Sequence, residues 1–466
     1  MLFSTTLLPP MAVSAWYHDG EITHFSISFG TALVIGLFLW WPWHRHELTI
    51  GTRDGFAVVA LMWTAMSVLG AIPFVLGLHL DFVDALFEAA SGYTTTGATV
   101  LVGLDDLSPS ILLYRTEIQW LGGIGVIVLA VALLPMLGVG GMQLYRAEVP
   151  GPLKDERMTP RIARSARSLS ALYIGFTALC ALCYWLAGMT PLDAVSNSFS
   201  TLSTGGYSNH DASFAYYDSP LMEAIAEVFM LVGGISFSVH FVAWRALSLR
   251  LYGQDTQTKA FLLTIAGLIA VAAGMLLATR VFEPLVAFRY SIFEVISVVT
   301  TTGYGITDFS SWPLALPVLL IFSTFVGGCA GSTAGGIKVM RFVVLAKQGA
   351  VHLRRLIHPH SVQPIRVDER VVPEGIIEGI WGFFTVYIAA FVALMLVLML
   401  DGLDQVTAFS AIAACLNNAG AGLGEVSLSF VGVDEFGKVV CIVAMLLGRL
   451  EIFTLLVLLT PSFWRR

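Results

Sequence analysis

Apolar stretches of one particular length recur along this sequence and leave it few folds to choose from. They run from Phe25 to Trp41, Phe56 to Leu78, Ile111 to Leu137, Leu169 to Leu186 and Leu221 to Trp244. Others run from Phe261 to Leu277, Leu314 to Val326, Ile376 to Leu400 and Val439 to Leu459. A helix of roughly 20 apolar residues crosses the hydrocarbon of a bilayer. The chain is 56% hydrophobic and only 12% charged over 466 residues, too few charges to clothe a water-soluble globule of that size. A β-barrel would show short alternating segments instead. The expected fold class is therefore an all-α polytopic membrane protein. The first apolar stretch, Leu2 to Tyr17, has no basic residues ahead of it and contains Pro9-Pro10, so it reads as part of an N-terminal two-helix extension and not as a cleavable signal.

Charge fixes the orientation. All of the 25 Lys+Arg except Arg115, Arg280, Arg289, Lys438 and Arg449 fall on one side when the spans are threaded in order. They cluster at Arg45 and Arg53, in 146–167, 245–259 and 338–370, and at Arg465 and Arg466. The positive-inside rule makes that side cytoplasmic. The opposite side is acidic, a field that concentrates cations, although any single acid there reads equally well as an ordinary solvated loop residue. The five cysteines lie in apolar stretches, and Cys180-x-x-Cys183 sits mid-span with no His or Cys nearby, which makes them small core residues.

A second pattern lies on top of the spans. Four loops share one grammar: Thr94-Thr95-Thr96-Gly97-Ala98, Ser203-Thr204-Gly205-Gly206-Tyr207, Thr300-Thr301-Thr302-Gly303-Tyr304 and Asn417-Asn418-Ala419-Gly420-Ala421. Each follows a half-hydrophobic segment too short to span, and each is followed by another apolar helix. Spacing alone does not separate Gly205 from Gly206 as the second loop's counterpart of the others. Asp84, Asp193 and Asp404 open three of the short segments, as N-caps would, and Glu283-Pro284 opens the other. The segments read as re-entrant half-helices entering from the outside, their negative dipole ends converging at mid-membrane. Irregular backbone at that depth is tolerated only inside protein or around a water-filled cavity. Rings of carbonyl oxygens there can replace the hydration shell of a cation.

These loops, with the Ala85-to-Thr99, Ser200-to-Ser208 and Leu416-to-Glu425 stretches around them, resemble the filter segments of the Trk/Ktr/HKT superfamily of potassium transporters, most of all the bacterial Trk-type membrane subunit. The resemblance covers essentially the whole chain. It implies four repeats of helix, re-entrant half-helix and helix in pseudo-fourfold arrangement, at 51–150, 151–255, 256–365 and 366–466, after an extension at 1–50. Carried over by motif, the potassium filter is Thr95, Thr96 and Gly97; Ser203, Thr204 and Gly205 (or Gly206); Thr301, Thr302 and Gly303; and Asn418, Ala419 and Gly420. Sodium-preferring plant relatives carry Ser at the first-repeat glycine, so Gly97 favours potassium. The fourth loop departs from the pattern at Ala419 and Ala421. The resemblance further implies uptake across a bacterial inner membrane with the filter mouth outside, a cytosolic nucleotide-binding RCK partner and a homodimer. It brings K+ as the transported ion and no organic cofactor.

Below the third loop the helix from Leu314 meets Gly327-Gly328-Cys329-Ala330-Gly331-Ser332-Thr333-Ala334-Gly335-Gly336, then Lys338. Each glycine costs a helix about 1 kcal/mol relative to alanine. The stretch is either a kink for close packing or an unwound intramembrane loop beneath the filter; the resemblance supports the loop, as a gate. It is not a phosphate-binding P-loop, since Val339 stands where Ser or Thr is needed and no strand precedes it. Arg449, within the last span, has no good partner in Glu451 two residues on. It either faces the pore near 327–336 or forms a structural ion pair with another helix. A cation-coupled secondary transporter, driven by H+ or Na+, stands as the alternative function. Glu88, Glu117, Glu227 and Glu294 are the acids on which it would depend. Nothing in the sequence suggests an enzyme or a nucleic-acid binder. The basic loops read either as a docking face for a regulator or as ordinary topology against lipid headgroups.

Overall fold

The computed structural model describes residues 1–42, 44, 52–132, 159–360, 363–368 and 370–465. Arg45, Arg466, the basic stretch 146–158 and the end of the Ile111–Leu137 segment beyond Ala132 lie outside the described residues. What is described is a helical membrane protein. Among the described residues, six helices are long and apolar enough to cross a bilayer, or up to eight if each of two bent pairs counts as one span. The only strands among the described residues are two-residue pieces, Arg366–Val367 and Arg370–Val371, paired antiparallel.

After Leu8–Tyr17 and Ile22–Trp40, the order long helix, short helix, long helix recurs. The long helices that open each group are Thr52–Leu78, Thr159–Leu186, Thr256–Thr279 and Glu374–Leu400. The short ones are Phe82–Tyr93, Pro191–Leu202, Pro284–Val299 and Gln405–Leu416. The closing elements differ most. Pro109–Ala132 is continuous, Pro220–Gly234 and Phe237–Ala246 meet at 99°, and Glu435–Arg449 and Phe453–Leu459 meet at 114°. In the third group the helix Leu316–Thr324 ends where the glycines begin, and helix resumes only at Val339–Ile357.

Burial follows from this nesting. The short helices are enclosed: Ala85, Phe87, Glu88, Ala89 and Ala90 of the first have no exposed surface. The opening helices present apolar side chains outward, with Leu61, Ile174, Leu263 and Ile388 exposed. That distribution suits hydrocarbon as the outer solvent. None of the five cysteines forms a disulfide, and all but Cys183 are buried.

The starts of the short helices correct one expectation. Asp404 caps its helix through Val406 and Thr407 N–H. Asp81 and Thr190, however, take the cap positions of the first two, leaving Asp84 and Asp193 in the first turn. Both still favour the positive end of the helix dipole. Glu283 stands at the N-cap with Pro284 next, as the sequence suggests, but its side chain accepts no capping hydrogen bond.

Candidate functional site

All four short helices end the same way. Thr94, Ser203, Thr300 and Asn417 close them in right-handed backbone. The next residue turns left-handed: Thr95 (φ 53°), Thr204 (51°), Thr301 (56°) and Asn418 (51°). The following N–H then reaches back five residues, Thr96 to Ser91 O (2.9 Å), Gly205 to Ser200 O (2.9 Å), Thr302 to Ser297 O (2.8 Å) and Ala419 to Ala414 O (2.8 Å). This is the Schellman closure, which normally takes glycine at its left-handed position. A β-branched residue there is an outlier that costs of order 1–3 kcal/mol. The side chains account for three of the four choices. Thr301 Oγ1 accepts the Gly335 N–H (2.7 Å), Asn418 Nδ2 donates to Thr96 Oγ1 (3.0 Å) and Met445 O (2.9 Å), and Thr204 Oγ1 lies 3.4 Å from Thr333 Oγ1. The Thr95 hydroxyl is buried with no partner among the described residues.

One residue further, the loops interlock. A Cβ built on Gly97 would fall 2.0 Å from Gly205 O, one on Gly206 1.9 Å from Thr302 O, one on Gly303 2.6 Å from Ala419 O, and one on Gly420 2.5 Å from Thr96 O. Each glycine thus packs under the carbonyl of the next loop, and the fourth returns to the first. All four have positive φ (83°, 79°, 86° and 69°), so glycine is required by conformation as well as by space. The register separates the adjacent glycines of the second loop: Gly206 matches Gly97, Gly303 and Gly420, while Gly205 stands level with Thr96, Thr302 and Ala419. Ser203 therefore corresponds to Thr94, one position below the triplet to which it is assigned by motif.

Polar side chains brace this ring from behind. Glu88 and Glu294, each nine residues before its glycine, accept the N–H groups of Val100 (3.1 Å) and Ile306 (2.8 Å), each three residues after it. Glu88 is fully buried and pairs with Arg115 (2.9 Å), which also donates to Ser208 O and lies over the Tyr207 ring. Glu88, Glu117 and Glu294 are thus buried and not part of an outer acidic surface. In the segment after the second loop His210 bonds Asp105 (2.5 Å) and stacks on Tyr216. Burial opposes the His210 cation, but the Asp193 carboxylate 3.8 Å away and the hydrogen bond to Asp105 prevail and raise its pKa above the ordinary 6.5. Among the described residues no group of three His, Cys, Asp or Glu side chains could hold a metal ion. The ring offers a cation carbonyl and hydroxyl oxygens.

Beneath the ring, the glycine-rich stretch is a non-helical loop and not a kinked helix. Gly327, Gly331 and Gly336 have positive φ, and an added Cβ on Gly335 would meet Asn417 O at 2.0 Å. The loop is pinned upward by Gly336 N to Asn417 O (2.9 Å) and by Thr333 Oγ1 to Leu202 O (2.9 Å). Sideways, Cys329 N donates to Gly234 O (2.9 Å) and Phe237 N to Gly331 O (3.1 Å), which explains the bend between the two helices there. Gly328 packs against Ala334, the Ser332 hydroxyl bonds Cys329 O, and Lys338 Nζ donates to Ala334 O. Arg449, 6% exposed, donates from Nη1 to Thr333 O (3.0 Å), while its Nε and Nη2 have no partner among the described residues. The last span breaks directly after it, with Glu451 and Ile452 left-handed, and Glu451 pairs with Arg341 of Val339–Ile357 (2.5 Å). A cavity of about 40 Å³ remains between loop and Arg449.

Sequence reading missed Gln119, Arg115 and Arg341 as parts of this assembly. A family model described as a cation transport protein, TrkH, matches residues 21–466. The Trk system potassium uptake protein TrkH of Vibrio parahaemolyticus is 49% identical over 469 residues, covering 100% of this chain and 97% of the relative. That of Escherichia coli (strain K12) is 46% identical over 468 residues, with the same shares. The crystal structure of the potassium transporter TrkH from Vibrio parahaemolyticus superposes with a TM-score of 0.92 at 46% identity, covering 100% of this chain and 97% of that one.

Proposed function

This chain belongs to the TrkH family of cation transport proteins, and from that premise we propose that it takes up potassium by conduction through the ring of four loops. The observation that carries this reading is the interlock itself: four identical helix closures set Thr96, Gly205, Thr302 and Ala419 carbonyls against four positive-φ glycines in cyclic order. Carbonyl oxygens so held can replace an ion's water. The filter is then Thr95, Thr96, Gly97; Thr204, Gly205, Gly206; Thr301, Thr302, Gly303; and Asn418, Ala419, Gly420. The loop 327–336, Lys338 and Arg449 form the gate. Arg449 holds the loop by the Thr333 carbonyl and sets a positive charge across the exit.

The four quarters 51–150, 151–255, 256–365 and 366–466 act as the pseudo-symmetric units, with 1–50 as an extension. The protein sits in the bacterial inner membrane, ring mouth outward, as a homodimer. It works with other Trk components. A cytosolic RCK-type nucleotide-binding subunit docks on the basic face of Val339–Ile357, which carries Lys347, Arg354 and Arg355. Through the Arg341–Glu451 pair, movement of that helix reaches a residue two positions from Arg449.

Coupling to H+ or Na+ has one kind of observation in its favour, a carboxylate oxygen of Glu117 and one of Glu294 buried without a partner among the described residues. Glu88 supports conduction instead, because both of its oxygens are engaged, by Thr99, Val100 N–H and Arg115, in holding the first loop. Rubidium uptake into liposomes containing the purified protein separates the two. Conduction predicts uptake that follows the membrane potential alone and is unchanged when proton and sodium gradients are collapsed. Uptake that stops with either gradient would establish coupling.

A further inference from the structure

The ring has one carbonyl unlike the others, and the difference originates in another repeat. Gly205 stands where the first and third loops carry Thr96 and Thr302. Its φ is not in the left-handed region, so the backbone does not require glycine at this position. What excludes a side chain is Gln119 from the helix Pro109–Ala132: a Cβ on Gly205 would fall 2.5 Å from its Cδ and 2.6 Å from its Oε1. The Gln119 carboxamide fills that space and has no exposed surface. Its Nε2 donates to Gly205 O (2.8 Å), and its Oε1 accepts from Ser200 Oγ (2.7 Å) and from Tyr207 N–H (3.1 Å). Among the described residues, no other side chain donates a hydrogen bond to Thr96, Gly205, Thr302 or Ala419 O.

We propose that Gln119 is a specificity-positioning residue: it fixes the Gly205 carbonyl from behind and so sets the ring's width on the second-repeat side. The inference rests on the filter reading above. A carbonyl oxygen has two lone pairs; with one held by a buried carboxamide, the oxygen cannot swing in to follow a smaller ion. The same carboxamide clamps both ends of the second loop, at Ser200 before it and Tyr207 after it. In the first and third loops the threonine hydroxyl does the comparable work locally, Thr96 to Thr94 (2.7 Å) and Thr302 to Thr300 (2.8 Å). In the second loop, Ser203 stands ready to partner such a hydroxyl.

Two variants test this, read as K+/Na+ permeability ratios from reversal potentials of the full chain in liposomes. Gln119→Met keeps the length and removes all three hydrogen bonds; the ratio falls about fivefold, the factor expected for one ordinary hydrogen bond. Gly205→Thr alone collides with Gln119 and stops uptake, whereas Gly205→Thr with Gln119→Ala recreates the arrangement of the first and third loops and restores selective uptake. An unchanged ratio in Gln119→Met, or a double variant no better than Gly205→Thr, overturns the assignment. Should Gln119→Met fail to fold, the double variant decides alone. Gly206→Ala run alongside keeps the two ideas apart. If it abolishes selectivity while Gln119→Met does not, only the role of Gln119 falls; if Gly206→Ala leaves selectivity intact, the filter reading itself falls.

Discussion

Gly206→Ala loses potassium uptake by roughly a hundredfold or more, while Gly205→Ala loses far less, although the two glycines are adjacent. At Gly206 the new Cβ would lie 1.9 Å from Thr302 O, a backbone atom of the next loop, and the residue would have to hold φ 79°. Neither problem has a local remedy, because moving the Thr302 carbonyl disturbs the third loop and, through Gly303 and Ala419 O, the fourth. At Gly205 the obstacle to a single methyl is the end of the Gln119 side chain and not backbone, so the strain is relieved by displacing that carboxamide at the expense of its hydrogen bonds, with the ring's other contacts left in place. Uptake per folded protein in liposomes, with folding checked by monodispersity in detergent, measures the difference. Equal losses in the two variants would mean that the interlock does not hold the ring.

Arg449→Ala opens the path. The guanidinium holds the Thr333 carbonyl and is buried beneath the ring, where the proposed gate lies. Hydrogen bonds to charged groups contribute about 1.5–3 kcal/mol, so losing this one favours the released loop by roughly tenfold to a hundredfold. Potassium flux without the regulatory partner rises accordingly, and its dependence on that partner weakens. Arg449→Lys retains the charge and loses the planar fork; it restores closure if repulsion dominates and leaves the loop free if the hydrogen bond does. Flux and regulation unchanged in Arg449→Ala would remove Arg449 from the gate and leave it a structural residue.

How far the sequence could be read depended on whether the deciding contact was local. Span length, charge bias and the Thr/Ser/Asn-Gly grammar are local properties, and the helical membrane fold follows from them. The second loop's register is not local. Two adjacent glycines read alike until the five-residue reach of Gly205 N to Ser200 O and the approach of Thr302 O to Gly206 distinguish them. The caps slipped by three residues in the first two short helices because Asp81 and Thr190 are also favoured capping types. Glu88 and Glu294 had a signal that was available and unused, their common distance from the loop glycines. Gln119 had none: its partners Ser200, Gly205 and Tyr207 lie in the following repeat, and a lone glutamine in an apolar helix does not announce them. The glycine-rich stretch left kink and loop open, and what settled it was backbone hydrogen bonding to Gly233, Gly234 and Asn417. Glu451 was correctly separated from Arg449, since the helix breaks between them and Glu451 turns to Arg341.

The central claim is that the four interlocked carbonyls bind the ion. Crystals grown in rubidium or thallium salts, with anomalous scattering locating the ion, test it most directly. The account predicts a peak on the axis encircled by the Thr96, Gly205, Thr302 and Ala419 oxygens, lost in Gly206→Ala. Ion density confined to other parts of the molecule, with that ring empty in the wild type, would contradict it.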